Sequence, residues 1–401
     1  MARFGRWNSP ASTLFPRRPH STVQFILPLL ILATLAAACA GGPTEAQQHH
    51  DAGQQESEAG RWSEALAEFD AAIQLEPTFA DAYARRADAR LSLSNFSSAL
   101  DDANTAIDLD PTIALAYTVR SEIRLALDDF TRAVTDATRA IELDPSAGRP
   151  YVDRAIAYGS LDNFDAAFTD YDRAIDLDPT SARAYANRAT EHIELDDFEQ
   201  AIRDSTTAIE LDPNLALGHA NRAAAYYALG NFAQALPDAA NAIARDPLLA
   251  FPYVVRASVS GTRGEYDAAF VDFARALTLD PDNVDAFSSR ADIYNAIGNY
   301  DQAIIDATRA IDLDPTHSLA HANRALAYLE IGDFDAALAD ARRAIILNPT
   351  DPRAYLISGD AYCRTGRDRL ARSDWDTGRT LITDAAVRAE VGARIDRAMC
   401  G

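Results

Sequence analysis

The chain has 401 residues, and its 60 Asp and Glu residues outnumber 37 basic residues that are all arginine, giving a formal net charge of −23. Nucleic-acid binding and polybasic membrane contact both depend on clustered Lys and Arg, so the composition argues against both. The acidity is typical of a well-solvated surface.

Residues 1–38 have the composition of a targeting segment. Arg17 and Arg18 precede an apolar run from Val23 to Ala38, which is shorter than the about 20 residues that span a bilayer. The run ends in small residues before Cys39 and resembles a bacterial lipobox, which implies that Cys39 is lipidated and anchors the chain to a membrane outside the cytoplasm. Ala36 stands where leucine is commonest, so an uncleaved anchor and a cleaved, soluble form remain alternatives. Residues 39–45 form a short linker.

Residues 46–385 repeat with a period of 34. Each of the ten units contains a first helix, a turn and a second helix, and in the first nine units proline ends the second helix because it lacks an amide donor. The first unit, 46–79, has a polar first helix, which is typical of the end of a repeat array. The prolines that mark the period are Pro77, Pro111, Pro145, Pro179, Pro213, Pro247, Pro281, Pro315 and Pro349.

Small residues recur at fixed places in these units. Alanine occupies position 20 of all ten and position 27 of nine, and the turn position 15 is glycine in six. Glycine adopts a left-handed turn without strain, and Asp or Ser less easily. Helix–turn–helix units of this length and pattern resemble tetratricopeptide repeats. The resemblance implies an all-α, right-handed superhelical solenoid whose concave groove binds a protein partner.

Residues 386–401 continue with helical periodicity beyond the last repeat. Val387, Val391, Ile395 and Met399 recur every four residues and predict a C-terminal capping helix with one apolar stripe. Cys363 and Cys400 both fall near this cap. In an oxidising compartment we expect them to form a disulfide.

A row of charges follows the same period. Position 7 is arginine and position 23 is aspartate in repeats two to nine. Position 7 belongs to the packed side of the first helix, where an unpaired charge is costly. The pattern therefore predicts a ladder of Arg–Asp pairs inside the solenoid. A row of arginines for anionic ligands is the alternative, and the matching aspartates disfavour it.

The groove of this repeat family is lined by first-helix positions 2, 5, 6, 9, 12 and 13. Asparagine amides there offer a donor and an acceptor to an extended peptide backbone, and apolar residues offer contact. The asparagines resemble a fragment of the ladder in O-linked N-acetylglucosamine transferases, interrupted by residues such as Asp153. That they only solvate the groove is the alternative. The predicted partner-binding residues are Asn187, Asn221, Asn323, Leu217, Phe251 and Leu319.

The residues do not suggest catalysis. The repeats, the cap and the targeting segment account for the chain, and no serine or cysteine is paired with a base in a recognisable motif. His49 and His50 lack an acid or cysteine at ligand spacing, so we expect both to be exposed and to bind no metal. We expect no enzyme activity and no cofactor. The predicted function is a protein-binding scaffold of the bacterial cell envelope; the alternatives are a pilotin-like lipoprotein and a binder of glycan or cell-wall fragments.

Overall fold

A computed structural model describes residues 43–397, apart from the side chains of residues 394, 396 and 397. This part of the chain contains 21 α-helices and no β-strand, which confirms the predicted all-α class. It divides into two compact units, 43–184 (unit 2) and 185–397 (unit 1). The predicted targeting segment 1–38 and Cys39 lie outside the described residues.

The helices alternate as the first and second members of ten pairs, and one helix follows them. They are α1 (Glu45–Glu58), α2 (Trp62–Leu75), α3 (Ala80–Ser92), α4 (Phe96–Leu109), α5 (Ala114–Ala126), α6 (Phe130–Leu143), α7 (Arg149–Ser160), α8 (Phe164–Leu177), α9 (Ala182–Glu194), α10 (Phe198–Leu211), α11 (Ala216–Ala228), α12 (Phe232–Arg245), α13 (Phe251–Thr262), α14 (Tyr266–Leu279), α15 (Val284–Ala296), α16 (Tyr300–Leu313), α17 (Ser318–Ile331), α18 (Phe334–Leu347), α19 (Pro352–Arg364), α20 (Asp368–Leu381) and α21 (Ala385–Arg397).

The turn inside each pair depends on one left-handed residue. The φ angle at this position is 57–60° where it is Ser or Asp and 70–86° where it is Gly, as predicted. The next residue donates its backbone N–H to a carbonyl five residues earlier, for example from Asn95 to Arg90 at 2.8 Å. This hydrogen bond satisfies a carbonyl that the helix end would otherwise leave unpaired.

Alanine allows the helices to pack closely. The alanines at repeat position 20 are fully buried in all ten pairs, from Ala65 to Ala371. Larger side chains, including Phe69, Tyr171 and Phe273, fill the remaining space and are also fully buried. The recurring small residues therefore have the packing role that the sequence predicted.

Within each unit the first helices form one continuous surface. Consecutive first helices contact each other, as α11 contacts α13 and α13 contacts α15, whereas no contact joins consecutive second helices among the described residues. Helices that are closer together on one side make a stack that curves toward that side. The first helices therefore lie on the inner side of each unit, and we call this surface the inner face.

The predicted Arg–Asp ladder is present. In repeats two to nine, the Nε and Nη2 atoms of the first-helix arginine donate to the two carboxylate oxygens of the second-helix aspartate, at 2.6–2.9 Å. The aspartates are all buried. The pairs are Arg86–Asp102, Arg120–Asp136, Arg154–Asp170, Arg188–Asp204, Arg222–Asp238, Arg256–Asp272, Arg290–Asp306 and Arg324–Asp340.

The third arginine nitrogen connects neighbouring repeats. Nη1 of Arg120 donates to Asn104 at 2.9 Å, and Nη1 of Arg324 donates to Thr308 at 3.1 Å. Each acceptor lies on the second helix of the preceding repeat, 16 residues before the arginine. One guanidinium therefore joins both helices of its own repeat to the repeat before it.

The position-4 side chains fix the proline turn. Tyr117 donates its hydroxyl hydrogen to the carbonyl of Pro111 at 3.3 Å, and its ring lies under the guanidinium of Arg120, 5.4 Å from the centroid. In His321, Nε2 lies 3.3 Å from the carbonyl of Pro315. Histidine at this position therefore replaces tyrosine in a packing role.

The two ends of the array differ from the expectations in detail. The prediction that His50 is exposed is wrong: it is 4% exposed, stacks on Phe79 and places Nε2 2.7 Å from an Asp81 oxygen.

At the C-terminal end of the array, α21 follows α20. Ile395 on α21 packs against the last core cluster, whereas Val387 is exposed.

The cysteine near the C-terminal end is oxidised. Cys363 forms a disulfide bond in the structure. Cys400, its expected partner, lies outside the described residues, so the pairing stays a prediction.

We predict that the ladder residues differ in importance according to their other partners. Arg290 is the only described donor to Asp306, whereas Asp340 also faces Nδ1 of His321 at 3.1 Å. Arg290→Ala should lower the free energy of unfolding by about 3 kcal/mol, because it leaves a buried carboxylate unpaired. Arg324→Ala should cost less. Urea unfolding followed by circular dichroism measures both, and equal losses would contradict the prediction.

Candidate functional site

The inner face of unit 1 carries the predicted asparagines, but two of them already bind their own chain. Nδ2 of Asn221 donates to the Ala186 carbonyl at 2.7 Å and to Oγ1 of Thr190 at 2.9 Å. Nδ2 of Asn323 donates to the Ser288 carbonyl at 2.9 Å. These acceptors lie on the first helix of the preceding repeat, so the amides hold consecutive first helices together. The sequence analysis did not predict this use of the amide donors.

The six predicted binding residues divide by exposure. Asn221, Phe251 and Asn323 are buried, at 0%, 6% and 3% exposure. Phe251 belongs to a core cluster with Val255 and alanines of α11. Asn187, Leu217 and Leu319 are half-buried on first helices. Leucine therefore offers more accessible apolar surface on this face than phenylalanine does.

Several buried polar atoms on the first helices of unit 1 have no hydrogen-bond partner among the described residues. They are Oδ1 of Asn221, Oγ of Ser258, Oγ of Ser288 and Oδ1 of Asn295. A buried polar group without a partner costs about 1–3 kcal/mol. Such groups are rare in native structures, and each calls for an explanation by a water, an ion or a ligand.

Charged residues lie on the same face. Nε2 of His317 lies 3.2 Å from an Asp285 oxygen, and Nδ1 of His317 accepts the Ala320 backbone N–H. This pattern assigns a neutral ring that donates to Asp285. Arg353 donates to Asp351, the N-cap of its own helix, at 2.8 and 3.1 Å.

Tyr227 lies within the electric field of these groups. Burial raises the pKa of the Tyr227 hydroxyl; the nearby Ser258 side chain opposes this shift, and the negative charges of Asp292 and Asp285 reinforce it. These residues lie on four first helices: Tyr227 on α11, Ser258 on α13, Asp285 and Asp292 on α15, and Arg353 on α19. They therefore share one electrostatic environment on the inner face of unit 1.

The inner face of unit 2 has a different chemistry. Glu122 accepts two hydrogen bonds from Arg149, at 2.7 and 2.6 Å, and one from Arg183 at 2.6 Å. Arg183 also donates to Asp153 at 2.8 Å, and Arg149 forms an ion pair with Asp88 at 2.8 Å. Arg149 and Arg183 occupy position 2 of successive repeats, and this recurrence was the sequence signal for the network. The groove arginines of unit 2 are thus held by acids of their own chain.

The hydrogen bonds around Asp153 suit a protonated carboxyl group. Asp153 is fully buried, and Oγ of Ser121 lies 2.9 Å from its Oδ2 and 2.8 Å from the Thr118 carbonyl. A serine hydroxyl has one hydrogen and cannot donate to both acceptors. If Asp153 is neutral, its own hydrogen binds Ser121, and Ser121 donates to Thr118.

The two carboxyl groups that share Arg183 shift in opposite directions. Burial raises the pKa of Asp153 to about 7, and the negative charge of Glu122 adds to this shift. Burial alone would raise the pKa of Glu122, but Arg183 and Arg149 outweigh it and lower the pKa to about 2. The two acids therefore influence each other's titration, and the positive charges of the arginines stabilise mainly the ionised form of Glu122.

We predict that Asp153 destabilises unit 2 above neutral pH. Its folded pKa lies above its unfolded value, so its contribution to stability is complete at acidic pH and is lost as the pH rises from about 4 to about 7. Asp153→Asn keeps the shape and mimics the neutral acid. It should raise the free energy of unfolding at pH 8 by a few kcal/mol, on the order of 1.4 kcal/mol per unit of pKa shift, and change it little at pH 4.

Glu122→Gln is the control, and it should change the free energy of unfolding in the opposite direction. The folded pKa of Glu122 is lowered, so Glu122 stabilises above its unfolded pKa, and its replacement should cost stability at pH 7. Urea unfolding at several pH values tests both variants. A loss of stability in Asp153→Asn at pH 8 would contradict the neutral-acid interpretation.

The described residues show no other kind of site. Residues 43–397 contain no group of three or more His, Cys, Asp or Glu side chains that is arranged to hold a metal ion. Among the described helices, none has both the length and the apolar composition needed to cross a membrane.

Known structures share the fold at low sequence identity. The crystal structure of the APC/C hetero-tetramer Cut9–Hcn1 superimposes with a TM-score of 0.59 at 15% identity, over 88% of this chain and 84% of that chain. A tetratricopeptide repeat protein from Parabacteroides merdae gives a TM-score of 0.45 at 18% identity, over 59% of this chain and 93% of that chain. No curated protein matches the sequence significantly. The first of these likenesses shows the fold alone.

Sequence profiles identify the repeat directly. Profiles of the tetratricopeptide repeat match residues 50–112, 119–184, 182–215, 256–318 and 318–351. Together the matches span more than half of the 401 residues. The chain belongs to the tetratricopeptide-repeat family.

Proposed function

We propose that the chain is a non-catalytic scaffold of the bacterial cell envelope that binds an extended segment of a partner protein on the inner face of unit 1. The observation that carries this proposal is the continuous stack of first helices, which keeps half-buried leucines and buried unpaired polar atoms that the core does not use. Proteins of this family commonly act as interaction scaffolds, and this function needs no catalytic residue.

An extended segment suits the chemistry of this face better than a folded domain does. Such a segment presents backbone N–H and C=O groups along its whole length, which suits a face that carries polar side chains as well as leucines. Leu217 and Leu319 are two groove positions separated by three repeats, and both are half-buried. A bound chain running along the first helices therefore has apolar contacts at both ends of this region and polar contacts between them.

The inner face of unit 2 is a less favourable binding surface. Its arginines donate to Glu122 and Asp153 and form an ion pair with Asp88, so an acidic ligand has to displace interactions that already exist. Breaking buried ion pairs of this kind costs several kcal/mol. Unit 1 is therefore the part of the chain to which we assign the partner.

We predict that partner contact is confined to the inner face. A photo-crosslinking amino acid placed at Leu217 or Leu319 of the full chain should capture the same partner protein in cells. The matched controls are Val271 and Ile305, which are 70% and 56% exposed on the second helices α14 and α16. Captured proteins are identified by mass spectrometry. Capture from the controls and not from the two leucines would refute the assignment.

A second measurement gives the size of the effect. Leu217→Ser with Leu319→Ser should weaken binding of the captured partner at least about tenfold, because two apolar contacts of roughly 1 kcal/mol or more are removed. Val271→Ser with Ile305→Ser removes similar apolar area from the outer surface and should leave the affinity unchanged.

We also predict that Cys39 carries lipid. The apolar run before it and its small neighbours support this part of the proposal, and stable anchoring takes more than one acyl chain. Cys39→Ala should move the protein from the membrane fraction to the soluble fraction and abolish metabolic labelling with a fatty acid. Cys363→Ala is the control for loss of a cysteine elsewhere. Undiminished labelling of the Cys39→Ala variant would show that the lipid assignment is wrong.

A further inference from the structure

One carboxylate on the inner face of unit 1 lacks a counterion. Asp292 on α15 is exposed, and no ion pair or hydrogen bond joins its side chain to another described residue. The surrounding protein nevertheless removes part of its hydration, and this desolvation raises the pKa of the Asp292 carboxyl against the opposing charge of Arg353. A partly desolvated anion is stabilised by a cation that approaches it.

Two unpaired polar atoms lie on the same side of the same helix. Ser288 and Asn295 stand four residues before and three residues after Asp292, which places the three side chains on one stripe of α15. Ser288 is fully buried and Asn295 is 7% exposed, and neither Oγ of Ser288 nor Oδ1 of Asn295 has a partner in the described structure. The stripe therefore combines one open carboxylate with two unsatisfied polar groups.

The flanking repeats provide a mixed polar and apolar row. At the repeat position of Asp292, α13 has Ser258 and α17 has the half-buried Leu326. Leu319 lies in the first turn of the same helix α17. A basic side chain has a long apolar stem and a charged end, so it packs its stem on apolar surface while its charge reaches a polar group.

The cations already present are engaged elsewhere. The guanidinium of Arg353 donates to Asp351, and the neutral ring of His317 donates to Asp285. The carboxylates of Asp285, Asp292 and Asp351 therefore outnumber the guanidinium of Arg353 among these neighbouring charges. The charge of the face is complementary to a basic ligand and repels an acidic one.

We propose that the partner segment bound on the inner face of unit 1 carries a basic side chain, and that Asp292 is the counterion of that side chain. This inference rests on the proposed function and adds the chemistry of the partner. An acidic peptide or a nucleic acid meets like charge at Asp292. A metal ion lacks the three clustered ligands that it needs, since the described residues contain no such group.

The test uses peptides of random sequence displayed on phage and the full chain as bait. Peptides that the wild-type chain retains should contain Lys or Arg beside apolar residues. The affinity of one such peptide, made synthetically, should fall roughly 10- to 100-fold in Asp292→Asn, because a charge-assisted hydrogen bond is removed. Its salt dependence should fall as well, since one ion pair is lost.

Asp301→Asn is the matched control. Asp301 is exposed on the second helix α16, so the variant has the same change in net charge on the outer surface. It should bind the peptide with wild-type affinity. A peptide in which Glu replaces the basic residue should bind Asp292→Lys more tightly than it binds the wild type. Circular dichroism of each variant shows whether the helices are intact.

The outcomes separate the two proposals. If retained peptides lose affinity in Leu217→Ser with Leu319→Ser but lack a basic residue and bind Asp292→Asn equally well, the basic-ligand inference fails and the binding face stands. If peptide binding survives the leucine substitutions, or if the face retains only neutral glycan fragments or a second copy of the chain, both proposals fail.

Discussion

The structure depends on a guanidinium group that has three hydrogen-bonding directions inside a packed repeat. An arginine in the middle of the first helix is tolerable only because a carboxylate on the second helix accepts two of its N–H groups. In several repeats the third nitrogen also reaches a polar side chain of the preceding repeat, as Arg120 reaches Asn104, whereas the residues 16 positions before Arg256 and Arg290 are alanines. The alanines between these pairs bury little area each, so they permit close packing without fixing the position of one helix against the next. The directional bonds of arginine fix that position, and the left-handed turns and proline stops act within the frame that they define.

Features that recur every 34 residues were predictable from the sequence. Arg290 and Asp306 were paired on the basis of their repetition, and the turn residue at Asp162 was expected to be left-handed because glycine replaces it in other repeats. Features that occur once or irregularly were not predictable. Asn221 was expected to offer its amide to a ligand, yet it donates to a carbonyl 35 residues earlier. This hydrogen bond depends on the distance between two first helices, which the sequence does not show. His50 was judged by its polarity, whereas its burial follows from a contact with Asp81 in the next first helix. The raised pKa of Asp153 depends on its burial and on the charge of Glu122, and no local pattern in the sequence connects these two acids.

The two inner faces show how one repeat supports different chemistry. In unit 2, Glu122 and Asp88 form ion pairs with arginines that would otherwise attract anions, and the surface is largely satisfied by its own chain. In unit 1, asparagine, serine and leucine occupy the equivalent helices, and Asp292 is left without a counterion among the described residues. The ladder and the alanine core lie away from the half-buried leucines of the inner face, so Leu217 and Leu319 can change with little effect on the packing of the repeat. Other inner-face residues, such as Asn221 and Asn323, also hold consecutive first helices together, so recognition and stability are only partly separated on this face.

The reach of each arginine has a consequence for the history of the chain. The acceptor on the preceding second helix varies: it is Asp70, Asn104, Thr138, Thr206 or Thr308 in five repeats, whereas alanine stands at this position before Arg256 and Arg290. A gene duplication or deletion of one whole 34-residue segment keeps each arginine with its aspartate on the second helix of the same repeat, whichever neighbour it then meets. A rearrangement of any other length places the arginine against an apolar neighbour, where its charge has no partner. The ladder therefore restricts heritable changes of length to whole repeats, and it makes those changes structurally nearly neutral.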